Sequence, residues 1–465
     1  MKLTKNSFTI LKDGIATSKL PKTLQDAMWV TASIGLKYIW IDSLCIVQDD
    51  DTDKELEIAR MSSYYGATTV TICTASASTC EEGFLGTRSD IHYDAGPFQL
   101  PFETRDGTGS ILLYREAKPF EPTTKRAWTL QETLLSRRVL VFSSKQLYWC
   151  CATANAGCGG PCPELRNRIL GDPESLVPSI YPLTVLEKYP ADLQWLRVTE
   201  DFMKRSLGFA EDKLLAISAT ASTLHPMFTE RQGHVVYLAG LFISLADPVR
   251  TSEQLLWYIK VPQSRRIKRY RAPSWSWACL DGTLNHLAYK SYFPRGSTLD
   301  EYHVRSRILD YGIDLSTPSA LYGAIRGGFL LFHGSLRIPD ASVGVPRRVV
   351  IDPETPAFRV HDFEGTTETY LGLFPDTEDD QSLMETGLDS EGQIFCLELL
   401  PYTSKRASPI GLVLARCTDM NIETYKRVGI FIFCRSKEGK HEPDLWRAAR
   451  ESFFSGVALR DVRVV

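Results

Sequence analysis

Apolar residues recur at two alternating spacings along the first 75 residues. Leu20, Leu24, Ala27, Met28, Val30 and Ile34 share one helix face, and Pro21 suits a first turn. Gly35 is expected to end that helix. The run 37–42 (Lys-Tyr-Ile-Trp-Ile-Asp) is β-branched and aromatic and predicts a buried strand. Acids from Asp49 to Asp53 suit the N-terminus of a helix over Asp53–Tyr65, closed by Gly66. A carboxylate-rich metal loop is the rarer alternative there. Thr68–Thr74 is β-branched and strand-like. Helix, strand, helix, strand is the rhythm of an open parallel α/β sheet with flanking helices.

Residues 80–120 read as loop-rich, with a short strand at Ile111–Tyr114. A short helix is expected over 126–138. Its Trp128, Gln131, Glu132 and Leu135 stand at i, i+3, i+4 and i+7 and so share a face. Strands at Val139–Phe142 and Gln146–Trp149 follow. Residues 165–260 look largely helical, with Asp212–Ser218 opening one apolar segment. Tyr270–Ala278 is aromatic at strand spacing, and Trp275 and Trp277 read as core packing between domains. From about 325, short apolar runs such as Phe329–Phe332, Ile394–Leu400, Ile410–Leu414 and Val428–Phe433 alternate with turn residues, which predicts an all-β module. The acidic stretch Asp376–Asp380 reads as a solvated loop. The expected division is 1–165, a mainly helical 166–320, and a β-rich 321–465.

Composition removes several function classes. Lys and Arg number 53 against 56 Asp and Glu, a net charge of -3, so no basic excess points to nucleic acid. The N-terminus lacks a secretory apolar segment, and Val235–Ala246 is too short to span a bilayer. A cytoplasmic protein is expected, with its 11 cysteines mostly reduced. Among Cys150, Cys151, Cys158 and Cys162, only Cys158-x3-Cys162 has zinc-like spacing and no histidine is near, so a Gly-rich loop with small thiols is preferred to a metal. No P-loop, Gly-x-Gly-x-x-Gly, Gly-x-Ser-x-Gly or His-Glu-x-x-His occurs, and the eight histidines are scattered.

What remains is a polar cluster where the run 37–42 ends: Asp42, Ser43, Cys45 and Gln48. Ligands of open α/β sheets bind at the carboxyl ends of strands. The cluster is therefore a site or the start of a turn. The segment 38–48 (Tyr-Ile-Trp-Ile-Asp-Ser-Leu-Cys-Ile-Val-Gln) resembles the signature of the fungal heterokaryon-incompatibility (HET) domain. Two further segments match in order, 126–138 (Arg-Ala-Trp-Thr-Leu-Gln-Glu-Thr-Leu-Leu-Ser-Arg-Arg) and 271–278 (Arg-Ala-Pro-Ser-Trp-Ser-Trp-Ala). Gly83-Phe84-Leu85 and Gln146-Leu147-Tyr148-Trp149 also fit. The resemblance covers roughly residues 15–150.

The resemblance implies a cytosolic fungal protein of allorecognition and regulated cell death, with self-association and another incompatibility protein as partners. It also implies a sheet related to Toll/interleukin-1-receptor (TIR) domains, some of which cleave NAD with one helix-borne glutamate. Trp128-x-x-Gln131-Glu132 resembles the segment carrying that glutamate. The implied catalytic residues are Glu132 and Asp42, with NAD as substrate and no firm cofactor. Trp40 or Trp128 would stack a ring and Arg126 would meet a phosphate, with Cys45, Gln48 and Gln131 beside them. The competing reading is structural: Trp128, Gln131 and Glu132 seat a helix on the sheet, Glu132 pairs with Arg126 or Arg137, and Cys45 is a small buried thiol. Family members usually begin with a strand ending in a Ser-x-x-Trp-Gly-like segment. Nothing in residues 1–36 resembles it, so the domain is expected to lack that strand. A non-catalytic scaffold and an enzyme of secondary metabolism on the same fold remain as alternatives.

Overall fold

The computed structural model describes residues 2–86, 98–104, 107–113, 121–144, 147–151, 153–157, 191–259, 266–267, 269–286, 306–339, 349–351, 358–360, 369–387, 394–400, 410–418, 422–435, 450–451 and 453–465. The chain forms two compact units, Met1–Lys188 and Tyr189–Val465. Cys158, Cys162 and the start of the expected helical region lie outside the described residues.

In the first unit the helices fall close to where the apolar spacing puts them. They are α1 (Phe8–Asp13), α2 (Lys22–Ser33), α3 (Asp42–Cys45), α4 (Asp51–Ala67) and α5 (Ala127–Leu135). The acids before α4 act as caps, since the Asp50 carboxylate accepts from the backbone N–H of Thr52 and Asp53. Gly66 does not stop α4, which runs on to Ala67. The strands are β1 (Thr71–Cys73), β2 (Phe98–Thr104), β3 (Gly107–Leu113), β4 (Arg138–Phe142), β5 (Leu147–Cys151) and β6 (Asn155–Gly157). β2 and β3 pair as a hairpin in a stretch expected to be mostly loop.

The main sheet of this unit has the order β1-β4-β5-β6. Among the described ladders of this sheet only β1–β4 is parallel, and β4–β5 and β5–β6 are antiparallel. The sheet is thus mixed, not the all-parallel one expected. The predicted strand at 37–42 is a second correction. Residues 36–41 are extended but hold no ladder pair, and Asp42 opens the short helix α3 instead. Tyr38 is 90% exposed, so this run lacks the two-sided burial of a central strand. Ala75, Val139, Val141 and Cys150 make one core cluster, and Ala27, Val30, Ala77, Phe84 and Phe142 make the other.

Gly83-Phe84-Leu85 now has a physical role. The buried Asp26 carboxylate accepts from Phe84 N–H (2.9 Å) and Leu85 N–H (3.3 Å), while Lys22 Nζ pairs with its other oxygen. Gly83 has φ +75°, and a Cβ there would lie 2.7 Å from Asp26 Oδ2. Gly83→Ala is expected to destabilise the first unit by about 1–3 kcal/mol, combining left-handed strain with a displaced carboxylate. Thermal unfolding followed by near-UV circular dichroism checks this, and an unchanged midpoint would refute it.

The second unit opens with α6 (Ala191–Met203), α7 (Leu215–Gln232), the hairpin β7 (Val235–Leu238) and β8 (Leu241–Ser244), α8 (Pro248–Leu255), β9 (Trp257–Ile259) and β10 (Leu284–His286). The long apolar run at 235–246 is therefore a hairpin. Its turn residues Ala239 and Gly240 both have positive φ, as a tight two-residue turn of this hand requires. Trp195 and Trp277 both donate their indole N–H to the Gly240 carbonyl at 2.9 Å. The stretch 270–278 is not a strand. Ser276 caps a 3-10 turn at Trp277–Cys279, accepting from Ala278 N–H. Trp275 and Trp277 are wholly buried in the second unit, with Trp277 against Gly240 and Phe202.

The β-rich remainder comprises β11 (Arg307–Leu315), β12 (Ile325–Arg337), β13 (Val349–Ile351), β14 (Phe358–Val360), β15 (Thr369–Pro375), α9 (Glu378–Gly387), β16 (Ile394–Leu400), β17 (Ile410–Cys417), β18 (Thr424–Arg435) and β19 (Leu459–Val464). Ladders β12–β16, β16–β17, β17–β18, β18–β19 and β19–β12 close a ring of five strands. A closed ring leaves those strands no open edge. β16 is buried along its whole length, and its one charge, Glu398, is met by a two-pronged bond from Arg450 at 2.5 and 2.9 Å.

Asp376–Asp380 is the largest correction in this unit. Asp376, Thr377 and Asp380 are at most 2% exposed. Arg427 holds Asp376 through two bonds of 3.0 and 3.1 Å, and Arg266 reaches Asp380. Asp376 and Asp380 are an ion-pair anchor, while Glu378 and Asp379 between them are exposed in the first turn of α9, so only half of these acids are solvated as expected. No helix among the described residues is long and apolar enough to cross a membrane.

Candidate functional site

The residues singled out from sequence lie on the extended segment 36–41, on α3 and the turn after it, and on α5. Two local devices shape the first part. Asp42 Oδ1 accepts from Ser43 N–H at 2.6 Å, which starts the α3 turn. Gln48 donates its side-chain amide to the carbonyls of Ile46 and Asp42, closing the turn back on its start. Gln48 is thus a staple of the loop. The backbone of Leu3 pairs with both ends of this turn, through Leu3 N–H to Ser43 O and Gln48 N–H to Leu3 O, each 2.8 Å.

α5 is fixed at both ends. Thr129 Oγ1 donates its one proton to the Thr123 or the Arg126 carbonyl at its start. Ser136, buried at its end, lies 2.6 Å from Thr71 Oγ1 of β1 and donates to the Glu132 carbonyl. Gln131 is 1% exposed and donates to the Met61 sulfur of α4 at 3.6 Å. The four residues read as one face therefore divide: Gln131 and Leu135 are buried, while Trp128 and Glu132 stay partly open.

α4 brings a residue that the motif reading passed over. Tyr65 lies one turn after Met61, so it shares the side of α4 that meets α5. Its ring stands edge-on to Trp40 with centroids 5.8 Å apart, and Tyr64 packs on Trp40 at 5.2 Å. Burial pushes the Tyr65 phenol well above its ordinary value; the Glu132 and Asp42 carboxylates push it further, and the Arg126 guanidinium opposes them. Tyr65 thus packs on Trp40 and feels the charges of Glu132, Asp42 and Arg126. The only sequence signal for it was the Tyr64-Tyr65 pair inside a polar helix.

Cys45 is an exposed residue, not the buried thiol expected. Desolvation of its sulfur, then the Asp42 and Glu57 carboxylates, push the thiol up and disfavour a thiolate nucleophile. Two carboxylates, one guanidinium and an aromatic wall suit a ligand with a planar ring, hydroxyls and an anionic group.

No curated protein matches the chain, and no solved structure does either. Residues 2–132 match the family model described as Heterokaryon incompatibility protein (HET). That span holds the segment 38–48 and ends on Glu132, and it supports placing this part of the chain in the heterokaryon-incompatibility family.

Proposed function

We propose that this heterokaryon-incompatibility-type protein acts in allorecognition and regulated cell death, and that its matched region is a TIR-related domain that hydrolyses NAD. The observation that carries this reading is the packing of Tyr65 on Trp40, with the charges of Glu132, Asp42 and Arg126 acting on its phenol. Nicotinamide leaves as a neutral ring from a cationic one, so the step needs no general acid. It needs negative charge beside the developing oxocarbenium ion, as at glycosidase centres. Glu132 supplies it from a helix held to the sheet by Ser136 and to α4 by Gln131. Asp42 orients Glu132 or holds ribose, Trp40 stacks the ring and Arg126 meets phosphate.

Purified full-length protein is expected to release nicotinamide from NAD, and Glu132→Ala to lower the rate at least about 100-fold. Wild-type protein that shows no turnover, alone or dimerised, refutes the reading. A non-catalytic association role has its own support in the exposure of Tyr38 (90%), Trp29 (64%) and Ile34 (45%). Under that role, cell-death or binding phenotypes survive Glu132→Ala.

A further inference from the structure

Tyr64 and Tyr65 both face Trp40, but their hydroxyls differ. Tyr64 Oη donates to Glu57 Oε2 at 2.6 Å, so it is already engaged. Tyr65 Oη takes no hydrogen-bond partner among the described residues. The Met61–Gln131 contact sets the register that points Tyr65 toward α5, and the charges felt by its phenol are those of Glu132, Asp42 and Arg126.

A carboxylate accepts; the Tyr65 phenol can also accept, but its one proton is the group here without a partner among the described residues. A ligand group that satisfies both must give a proton to a carboxylate and take one from the phenol. A phosphate or carboxylate cannot give one and is repelled by Glu132 and Asp42. An ammonium has no lone pair to accept with. A sugar hydroxyl does both, and the vicinal diol of a ribose does so twice.

We propose that Tyr65 is a specificity residue of this site, its hydroxyl donating to a ribose hydroxyl whose own proton goes to Glu132 or Asp42. This rests on the NAD reading and names the part of the ligand that Tyr65 reads. The ring of Tyr65 packs on Trp40 and its hydroxyl holds nothing of the protein described here, so Tyr65→Phe keeps the packing and removes one donor.

Calorimetric binding of NAD to full-length protein, wild type and Tyr65→Phe, tests this beside an NAD analogue whose nicotinamide ribose lacks both hydroxyls. The variant is expected to bind NAD about tenfold more weakly, to bind the analogue as wild type does, and to raise KM more than it lowers kcat. Equal NAD affinity in the two proteins, with nicotinamide still released, overturns the role of Tyr65 alone. An equal penalty for NAD and the analogue also overturns it. Tyr65-dependent NAD binding without nicotinamide release overturns the hydrolase reading alone. No NAD binding by the wild type overturns both.

Discussion

Arg427→Met is expected to destabilise the Tyr189–Val465 unit by about 3–5 kcal/mol, the range for removing one partner of a buried ion pair. Arg427 is fully buried, and four of its five guanidinium N–H donors are engaged. Nε and Nη2 meet Asp376 at 3.0 and 3.1 Å, Nη1 meets the Leu255 carbonyl at 2.7 Å, and Nη2 also meets the Trp257 carbonyl at 2.5 Å. The guanidinium carbon lies 3.3 Å from the Trp257 ring centroid. Its own backbone accepts from Arg266 and donates to Ser274 Oγ, and Ser274 also binds the Val465 carbonyl. The side chain therefore ties β18 to α8, to β9 and to the residue after β15, and the backbone of the same residue adds the 271–278 segment. Methionine restores bulk but leaves Asp376 charged and buried with Arg266 only at 3.6 Å. Urea unfolding followed by tryptophan fluorescence measures the loss, and Trp257 under the guanidinium makes the signal local. A loss below about 1 kcal/mol would refute the anchor role. The double variant Arg427→Met, Asp376→Leu is expected to recover part of the loss, because no unpaired charge then remains.

That anchor also shows what a sequence conceals. Asp376–Asp380 looks solvated in any short window, and its partners Arg427 and Arg266 stand 51 and 114 residues away. The helices α2 and α4 were legible because their signals are local: an apolar stripe, and Asp50 capping its own N-terminus. The apolar runs that became β16, β17 and β18 were legible for the same reason. The run at 37–42 has strand propensity, but a strand also needs a neighbour to pair with, and propensity does not supply one. At the candidate site, Asp42, Arg126 and Glu132 were readable by resemblance. Tyr65 was not, because only the packing of α4 against α5 places it beside them.

The second large effect is a pH dependence set by His286. Its ring is 1% exposed, and burial, then the nearby Arg427 charge, lower it to about 3. The bonding explains why the neutral form is held. Thr199 Oγ1 has one proton, directed to the Trp195 or Leu196 carbonyl, so it accepts from His286 Nε2–H at 3.0 Å. Nδ1 is then a bare lone pair with no partner among the described residues. Adding a proton there buries a charge with no acceptor at Nδ1, the Glu200 carboxylate being bound instead to the His286 backbone N–H at 2.8 Å. The folded value lies below the unfolded 6.5, so the unfolded chain binds the proton first as pH falls. The stability held by neutral His286 is complete above pH 6.5 and is lost between 6.5 and 3, at about 1.4 kcal/mol per pH unit. His286→Gln keeps an amide donor toward Thr199 and removes the titration. Between pH 6.5 and 4.5 the wild type is expected to lose about 2 kcal/mol more than the variant, other groups cancelling in the difference. Urea midpoints across that range measure it. Parallel pH profiles for the two proteins would show that His286 is protonated in the fold, and with it that Nδ1 has found an acceptor.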